Sequence, residues 1–280
     1  MAKDSTSEGV SRRGLLAGGA AAVAGAGLLG SGRGIADALP RRHDPPHANG
    51  RPPVPPPIVL TGGNLLDPLS GRVTEDAVVV LANRKVLAVA AASEFRAKRI
   101  GDARVIDVGG AWLVPGLLDA HTHATSRASA ARALRSGATT LRIASSTFYA
   151  DVALRALAEW LPAEVPTIQP VGLFVRPFVG DDVLSDPRLA PLAASPGAPQ
   201  TPDELRFLVE VNLSRGADHI KTWATGRAGV CAQDPQQTTY DVNQLRAIVE
   251  AARGRPVMCH SHGAVGCQNC LLYTSDAADE

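Results

Sequence analysis

Beyond the dipeptide Pro115-Gly116, short apolar runs alternate with helix-period segments five times, and this alternation constrains the fold more than any other feature. The runs fall at residues 117–123, 139–143, 167–173, 218–223 and 256–260. Between them the sequence predicts helices over 129–135 (stopping at Gly137), 151–160, 201–215 and 241–252. The third of these is the clearest. Thr201 stands at its cap, Pro202 in its first turn and Glu204 three residues after the cap, which satisfies exposed N–H groups before the apolar stripe begins. Asp241 caps the fourth helix in the same way. Strands separated by helices pair in parallel, because the crossover returns the chain to the same end of the sheet. Five units are fewer than the eight of a closed (β/α)8 barrel, which takes about 250 residues. The expected fold is α/β: an incomplete (β/α)8 TIM barrel whose first five units occupy 115–269, preceded by a small partial β-sandwich over 58–114.

The preceding segment has a strand period instead. Residues 58–60 lead into a turn over 61–64. Residues 77–81 and 86–91 flank the polar Asn83-Arg84-Lys85 as a hairpin, and 104–108 and 111–114 flank Gly109-Gly110. A sandwich needs more strands than these to close its core.

Neither end of the chain reads as part of this fold. Ser11-Arg12-Arg13-Gly14-Leu15-Leu16 resembles a twin-arginine motif, Gly14 to Gly30 is uncharged, and Ala36-Asp37-Ala38 offers a small-x-small cleavage pattern. Residues 1–38 are therefore expected to be an export signal, with the mature protein periplasmic or extracellular. Residues 39–57 hold eight prolines and form an extended linker. Residues 270–280 match an in-frame translation of a library-preparation adapter, so they are expected to lie outside the natural fold. On that reading the C-x-x-C of Cys267 and Cys270 is not a redox or zinc motif, and the remaining cysteines give no disulfide framework.

Composition narrows the function classes. A hydrophobic content of 45% and a charged content of 20% exclude a disordered chain. With 28 basic and 27 acidic residues the net charge is +1, which gives no footprint for nucleic acid or for an acidic membrane surface once the signal is removed. Lysines number only four, so the position of Lys221 within an apolar run is informative.

His121-Thr122-His123 ends the first run of the barrel segment. Residues two apart on a strand face the same side, so both imidazoles can address one metal ion. Lys221 and His260 end two later runs. Burial disfavours an ammonium ion, and a neutral amine can take up carbon dioxide as a carbamate whose oxygens bridge two ions. His260 is a further candidate ligand. His262, closer to the barrel mouth, is the candidate catalytic or substrate-contacting side chain, whereas His219, two residues before Lys221, is expected to serve packing and hydrogen bonding. Taken in isolation, His260 and His262 would more often be satisfied structural groups, and without the histidines Lys221 would read better as a barrel lysine paired with a carboxylate.

At this point the chain resembles the metal-dependent amidohydrolase superfamily, in its prolidase-like and imidazolonepropionase-like branch. The resemblance is carried by Val105-Ile106-Asp107-Val108-Gly109-Gly110-Ala111-Trp112-Leu113-Val114-Pro115-Gly116-Leu117-Leu118-Asp119-Ala120-His121-Thr122-His123, similar to that family's junction of sandwich and barrel. Gly137-Ala138-Thr139-Thr140-Leu141-Arg142, residues 216–221 and His260-Ser261-His262-Gly263 resemble its second, fourth and fifth strand regions, and the likeness runs over 58–266. It implies His121, His123, carbamylated Lys221 and His260 as ligands of one or two divalent ions, zinc by preference.

The family often has Asp after the second-strand Arg, where this chain has Ile143. Its sixth-strand His and eighth-strand Asp have no counterpart here, so the chain as written is expected to be an inactive fragment. The resemblance implies hydrolysis of amide or cyclic amide C–N bonds by metal-activated hydroxide, on a small-molecule or dipeptide-like substrate, with an oligomer possible. Lactone or phosphoester hydrolysis and deamination on the same barrel remain alternatives, as does a non-catalytic exported metal-binding barrel.

Overall fold

The computed structural model describes residues 56–83, 85–95, 102–229, 231 and 233–274, with side chains described to residue 271. The expected export signal, the expected linker up to residue 55 and residues 275–280 lie outside them. The chain divides into two compact units at Pro115.

In the first unit, β1 (Ile58–Leu66) lies between an antiparallel hairpin and two short parallel strands. β2 (Val73–Ala82) and β3 (Lys85–Ala91) form the hairpin, while β4 (Arg104–Asp107) and β5 (Trp112–Leu113) both pair with the other edge of β1. The described residues therefore make one mixed sheet, and among them no second sheet faces it. Its core is Val59, Val78 and Val80, with Leu87 and Phe95 packed against them. The turn expected over 61–64 is corrected. β1 runs straight through, and its register against β2 slips on either side of Gly63. Gly62 adopts φ +70°, and a Cβ there would stand 2.6 Å from the Asp107 carboxylate. A glycine pair can mark a bulge as readily as a turn.

The second unit follows the expected alternation. In order come β6 (Leu117–Thr122), α1 (Arg127–Arg135), β7 (Ala138–Ile143), α2 (Ala150–Trp160) and β8 (Thr167–Gln169), then α3 (Ala190–Ala194), α4 (Pro202–Ser214), β9 (Ile220–Trp223), α5 (Val242–Ala251), β10 (Val257–His260) and α6 (Ala264–Thr274). Every strand pairing is parallel: β6-β7-β8 form one sheet and β9-β10 another. The segment after β8 joins them. Ser146 bridges Leu173, Val175 bridges Thr222, and the Val175 amide donates to the Lys221 carbonyl at 2.9 Å. Pro170, which has no N–H, and Gly172, at φ +72°, interrupt the regular ladder there. Five strand positions thus follow one another in chain order, with all their C-terminal ends on one edge.

α4 and α5 begin where the sequence places them, and α1 begins two residues earlier than expected. Thr201 and Glu204 form a capping box on α4, Asp241 and Gln244 form one on α5, and Ser126 and Ser129 one on α1. α4 buries Leu205, Leu208 and Val209, and α5 buries Leu245 and Ile248 in the same core cluster. Each such side chain contributes about 1.5–3 kcal/mol on burial. Several features were not expected, among them the helices α3 and α6. Short 3-10 turns over Gly180–Ser185 and Pro187–Leu189 precede α3, and β6 is not buried. Leu117 is 60% and Leu118 46% exposed, because among the described residues β6 pairs only with β7. At the other end, α6 carries Cys270 half-buried against the core and beside Cys259, so that residue is not set apart from the fold. Cys231, Cys259, Cys267 and Cys270 form no disulfide among the described residues.

Candidate functional site

The shared strand edge receives each side chain from a different element. His121 lies near the end of β6 and His123 just beyond it, with ring centroids 5.5 Å apart. The His121 amide donates to the Asp119 carboxylate at 3.1 Å, which ties down the strand end. Lys221 is on β9, held in register by β10 and by Val175. His260 is the last residue of β10, and its ring is 4.6 Å from that of His262, edge to face.

Lys221 is only 3% exposed, and its ammonium nitrogen lies 6.0 Å from the centre of the Phe174 ring. Desolvation pushes its pKa down, and the Arg227 guanidinium pushes the same way. His121 is also pushed down, first by burial and then by the Lys221 and His123 charges. His260 is lowered by burial, then by His262, Lys221, Arg227 and His121. Groups from β6, β9 and β10 therefore feel one another, as groups gathered at one edge of parallel strands must. The His260 Nε2 is buried and has no hydrogen-bond partner among the described residues, a costly state for a polar atom.

That orphaned nitrogen, with imidazoles and an amine whose charged forms burial disfavours, is a donor set of the kind a divalent ion takes. His121, His123, Lys221 and His260 fit such an ion in chemistry and in position at the strand ends. They stand as two histidine pairs and a lysine rather than as a finished cage. Among the described residues no three His, Cys, Asp or Glu side chains gather closely enough to hold an ion without adjustment.

His219 lies deeper, as expected. It is 2% exposed, its Nε2 contacts the Ile143 carbonyl at 2.8 Å, and burial pushes its pKa down to about 4. The carbonyl can only accept, so Nε2 carries the proton.

Sequence reasoning missed the aromatic lining of this edge. Trp223, two residues after Lys221 on β9, meets Phe174 edge to face at 5.1 Å and stands 6.3 Å from the His260 ring. Arg176 sits over Trp223 at 5.8 Å. The i, i+2 spacing of Lys221 and Trp223 was a signal for the tryptophan, whereas nothing local marked Phe174 or Arg176. The loop after β9 is anchored to the histidines, since the His262 amide donates to Thr225 Oγ1 at 2.9 Å.

Neither a family model nor a curated protein sequence matches the chain. Solved structures do. A presumed prolidase from Bifidobacterium longum superposes with a TM-score of 0.64 and 26% identity, over 79% of this chain and 53% of its own. A Xaa-Pro dipeptidase with bound methionine in the active site gives 0.62 and 22%, over 77% and 59%. An amidohydrolase gives 0.60 and 23%, over 77% and 58%. The chain thus spans between 53% and 59% of the length of these structures and shares their α/β fold. The matched proteins are hydrolases of the amidohydrolase type.

Proposed function

We propose that this chain carries metal-binding side chains of a metal-dependent hydrolase acting on amide-type carbon–nitrogen bonds. The observation that carries this reading is the set at the strand edge: a buried Lys221, its pKa lowered by desolvation, with histidines on β6 and β10, one of which keeps a buried nitrogen without a hydrogen-bond partner among the described residues. The likeness to prolidase and dipeptidase structures supports the same reaction class.

A divalent ion bound there would supply Lewis acidity, polarising the scissile carbonyl and making hydroxide accessible at neutral pH. The chain's own residues prepare for it. Burial keeps His121 and His260 neutral, leaving lone pairs to donate. Burial lowers the Lys221 pKa and so favours the neutral amine, whose lone pair can attack carbon dioxide; the N–C bond forms, one proton leaves to solvent, and the resulting carbamate is an anionic ligand. His262 stands edge to face with His260 and is positioned to meet substrate. Trp223 and Phe174 form an apolar wall beside Lys221 that limits water.

The test is metal content. The full chain, loaded with excess zinc and bicarbonate and then freed of loose ion, should retain one or two ions per chain by mass spectrometry. With 13C-bicarbonate it should show a carbamate carbon signal by NMR. Lys221→Ala should lose both, and His260→Ala should lose the metal, with unchanged circular dichroism. A wild-type chain that retains no zinc, or variants that retain it fully, would overturn the proposal.

A further inference from the structure

The segment that carries Phe174 toward the site is held by side chains where a strand ladder would be expected. Pro170 has no N–H, and the next two amides bond to one carboxylate: Asp151 Oδ2 accepts from Val171 at 2.7 Å and from Gly172 at 2.9 Å. Asp151 lies in the first turn of α2 and is fully buried. Its Oδ1 accepts from the Val152 amide at 2.9 Å, and its own amide donates to Ser146 Oγ at 3.1 Å. These three bonds to the carboxylate all come from N–H groups, so the ionised form suits the position, and the start of a helix favours its charge. Gly172 takes the bend at φ +72°, and a Cβ there would stand 2.9 Å from Asn212 Oδ1. Beyond the bend, Asn212 fixes Leu173 and the Lys221 carbonyl fixes Val175. Leu173 and Val175 point into the core on the helix side. Strand alternation therefore turns Phe174 to the opposite face, toward Lys221 and Trp223.

Resting on the hydrolase reading, we infer that Asp151 is a positioning residue for the metal-binding edge: by gripping two successive amides it sets the bend that places Phe174 beside Lys221 and Trp223. Its effect passes through the backbone of 171–173 and not through contact with the candidate ligands. A carboxylate is a stronger acceptor of N–H groups than a neutral oxygen, and two bonds to adjacent residues fix direction as well as distance. Without that grip the bend rests on Asn212 alone. Phe174 then draws back from Trp223, and water reaches the edge that the rings screen. The apolar shell around a metal position governs its access to solvent, so a group that holds this shell in place affects how tightly an ion is kept.

The test uses the full chain with the largely exposed Trp112 and Trp160 changed to Phe, which leaves Trp223 as its tryptophan. Acrylamide quenching of Trp223 is read without zinc, and zinc affinity by competition with a chromophoric chelator. Asp151→Asn keeps the shape and weakens the acceptor, whereas Asp151→Ala removes it. Both should make Trp223 easier to quench, alanine more than asparagine, and Asp151→Ala should weaken zinc binding by about tenfold. Phe174→Ala should act in the same direction on both readouts. The double variant should be no worse than Phe174→Ala alone, because one side chain acts through the other. Losses that multiply in the double variant, a Phe174→Ala chain that binds zinc as tightly as wild type, or a Trp223 as well shielded in Asp151→Asn as in wild type would overturn the inference. If Asp151→Ala does not fold by circular dichroism, Asp151→Asn carries both measurements. Trp223 uncovered by Asp151→Asn in a chain that never retains zinc would sink the hydrolase reading and spare the positioning role, whereas zinc retention with Trp223 unchanged would do the reverse.

Discussion

Replacing Asn212 with Asp alters one atom at the joint that fixes the third strand position, and it should make stability depend on pH. The Asn212 oxygen accepts from the Leu173 amide at 3.0 Å and the Tyr149 hydroxyl at 3.1 Å, and its nitrogen donates to the Leu173 carbonyl at 2.8 Å. The residue is fully buried. An aspartate keeps both acceptor contacts but turns a second oxygen toward the Leu173 carbonyl, an attractive contact only when that oxygen is protonated. Full burial raises a carboxyl pKa by up to about 3–5 units, and the two retained donors oppose it, leaving a net rise of about 2–3 units. At 1.36 kcal/mol per unit this is about 3–4 kcal/mol. The folded-state pKa lies above the unfolded value of about 3.9, so the protonated form favours the fold and the loss grows as pH rises from about 4 to about 7. Urea unfolding of wild type and Asn212→Asp across that window, followed by circular dichroism, measures it. The stability gap should be small at the acid end and about 3 kcal/mol at neutrality. A gap that is constant, or that narrows as pH rises, refutes the reasoning.

Two further outcomes are expected. His219 has its pKa pushed from 6.5 down to about 4, so the neutral ring belongs to the fold; its contribution is complete above pH 6.5 and is lost as pH falls toward 4. At 1.36 kcal/mol per unit that is about 3 kcal/mol, and His219→Gln, which keeps a donor but does not titrate, should flatten this arm of the urea-measured pH–stability curve; an arm equally steep in the variant would count against it. A Cβ on Gly116 would lie 2.1 Å from Thr139 Oγ1 and 2.7 Å from its Cβ, so rotating Thr139 gives no escape. Gly116→Ala should cost about 1–3 kcal/mol in thermal unfolding, and adding Thr139→Gly should recover most of it; losses that simply add would show that this contact is not the cause.

The parallel order of the second unit was legible because its signals are local. Thr201, Glu204 and Asp241 mark helix starts through their own backbone bonds, and the His121-x-His123 spacing follows from strand alternation alone. Failures came where distant partners decide. Gly62 and Gly63 look like a turn until Asp107 and the β2 register show a bulge. The apolar run of β6 looks buried, yet burial belongs to whatever covers a strand and not to its own letters. The turns over 180–189 offer only Pro, Gly and Asp, which mark a break without saying how it is folded. In the site, the pairing of His260 with His262 was readable, but the contact of Arg176 with Trp223 joins residues 47 apart in the sequence through tertiary packing.

The single-sided pairing of β6 also bears on how the chain behaves in concentrated solution. A strand with one row of N–H and C=O groups unpaired among the described residues, and with Leu117 and Leu118 largely uncovered, is a template on which another strand can add. Its own sequence supplies one deterrent, the charge of Asp119, and no proline within the strand. Solubility of the chain should therefore depend on this edge more than on net charge, and crowding should favour edge-to-edge assembly through backbone pairing.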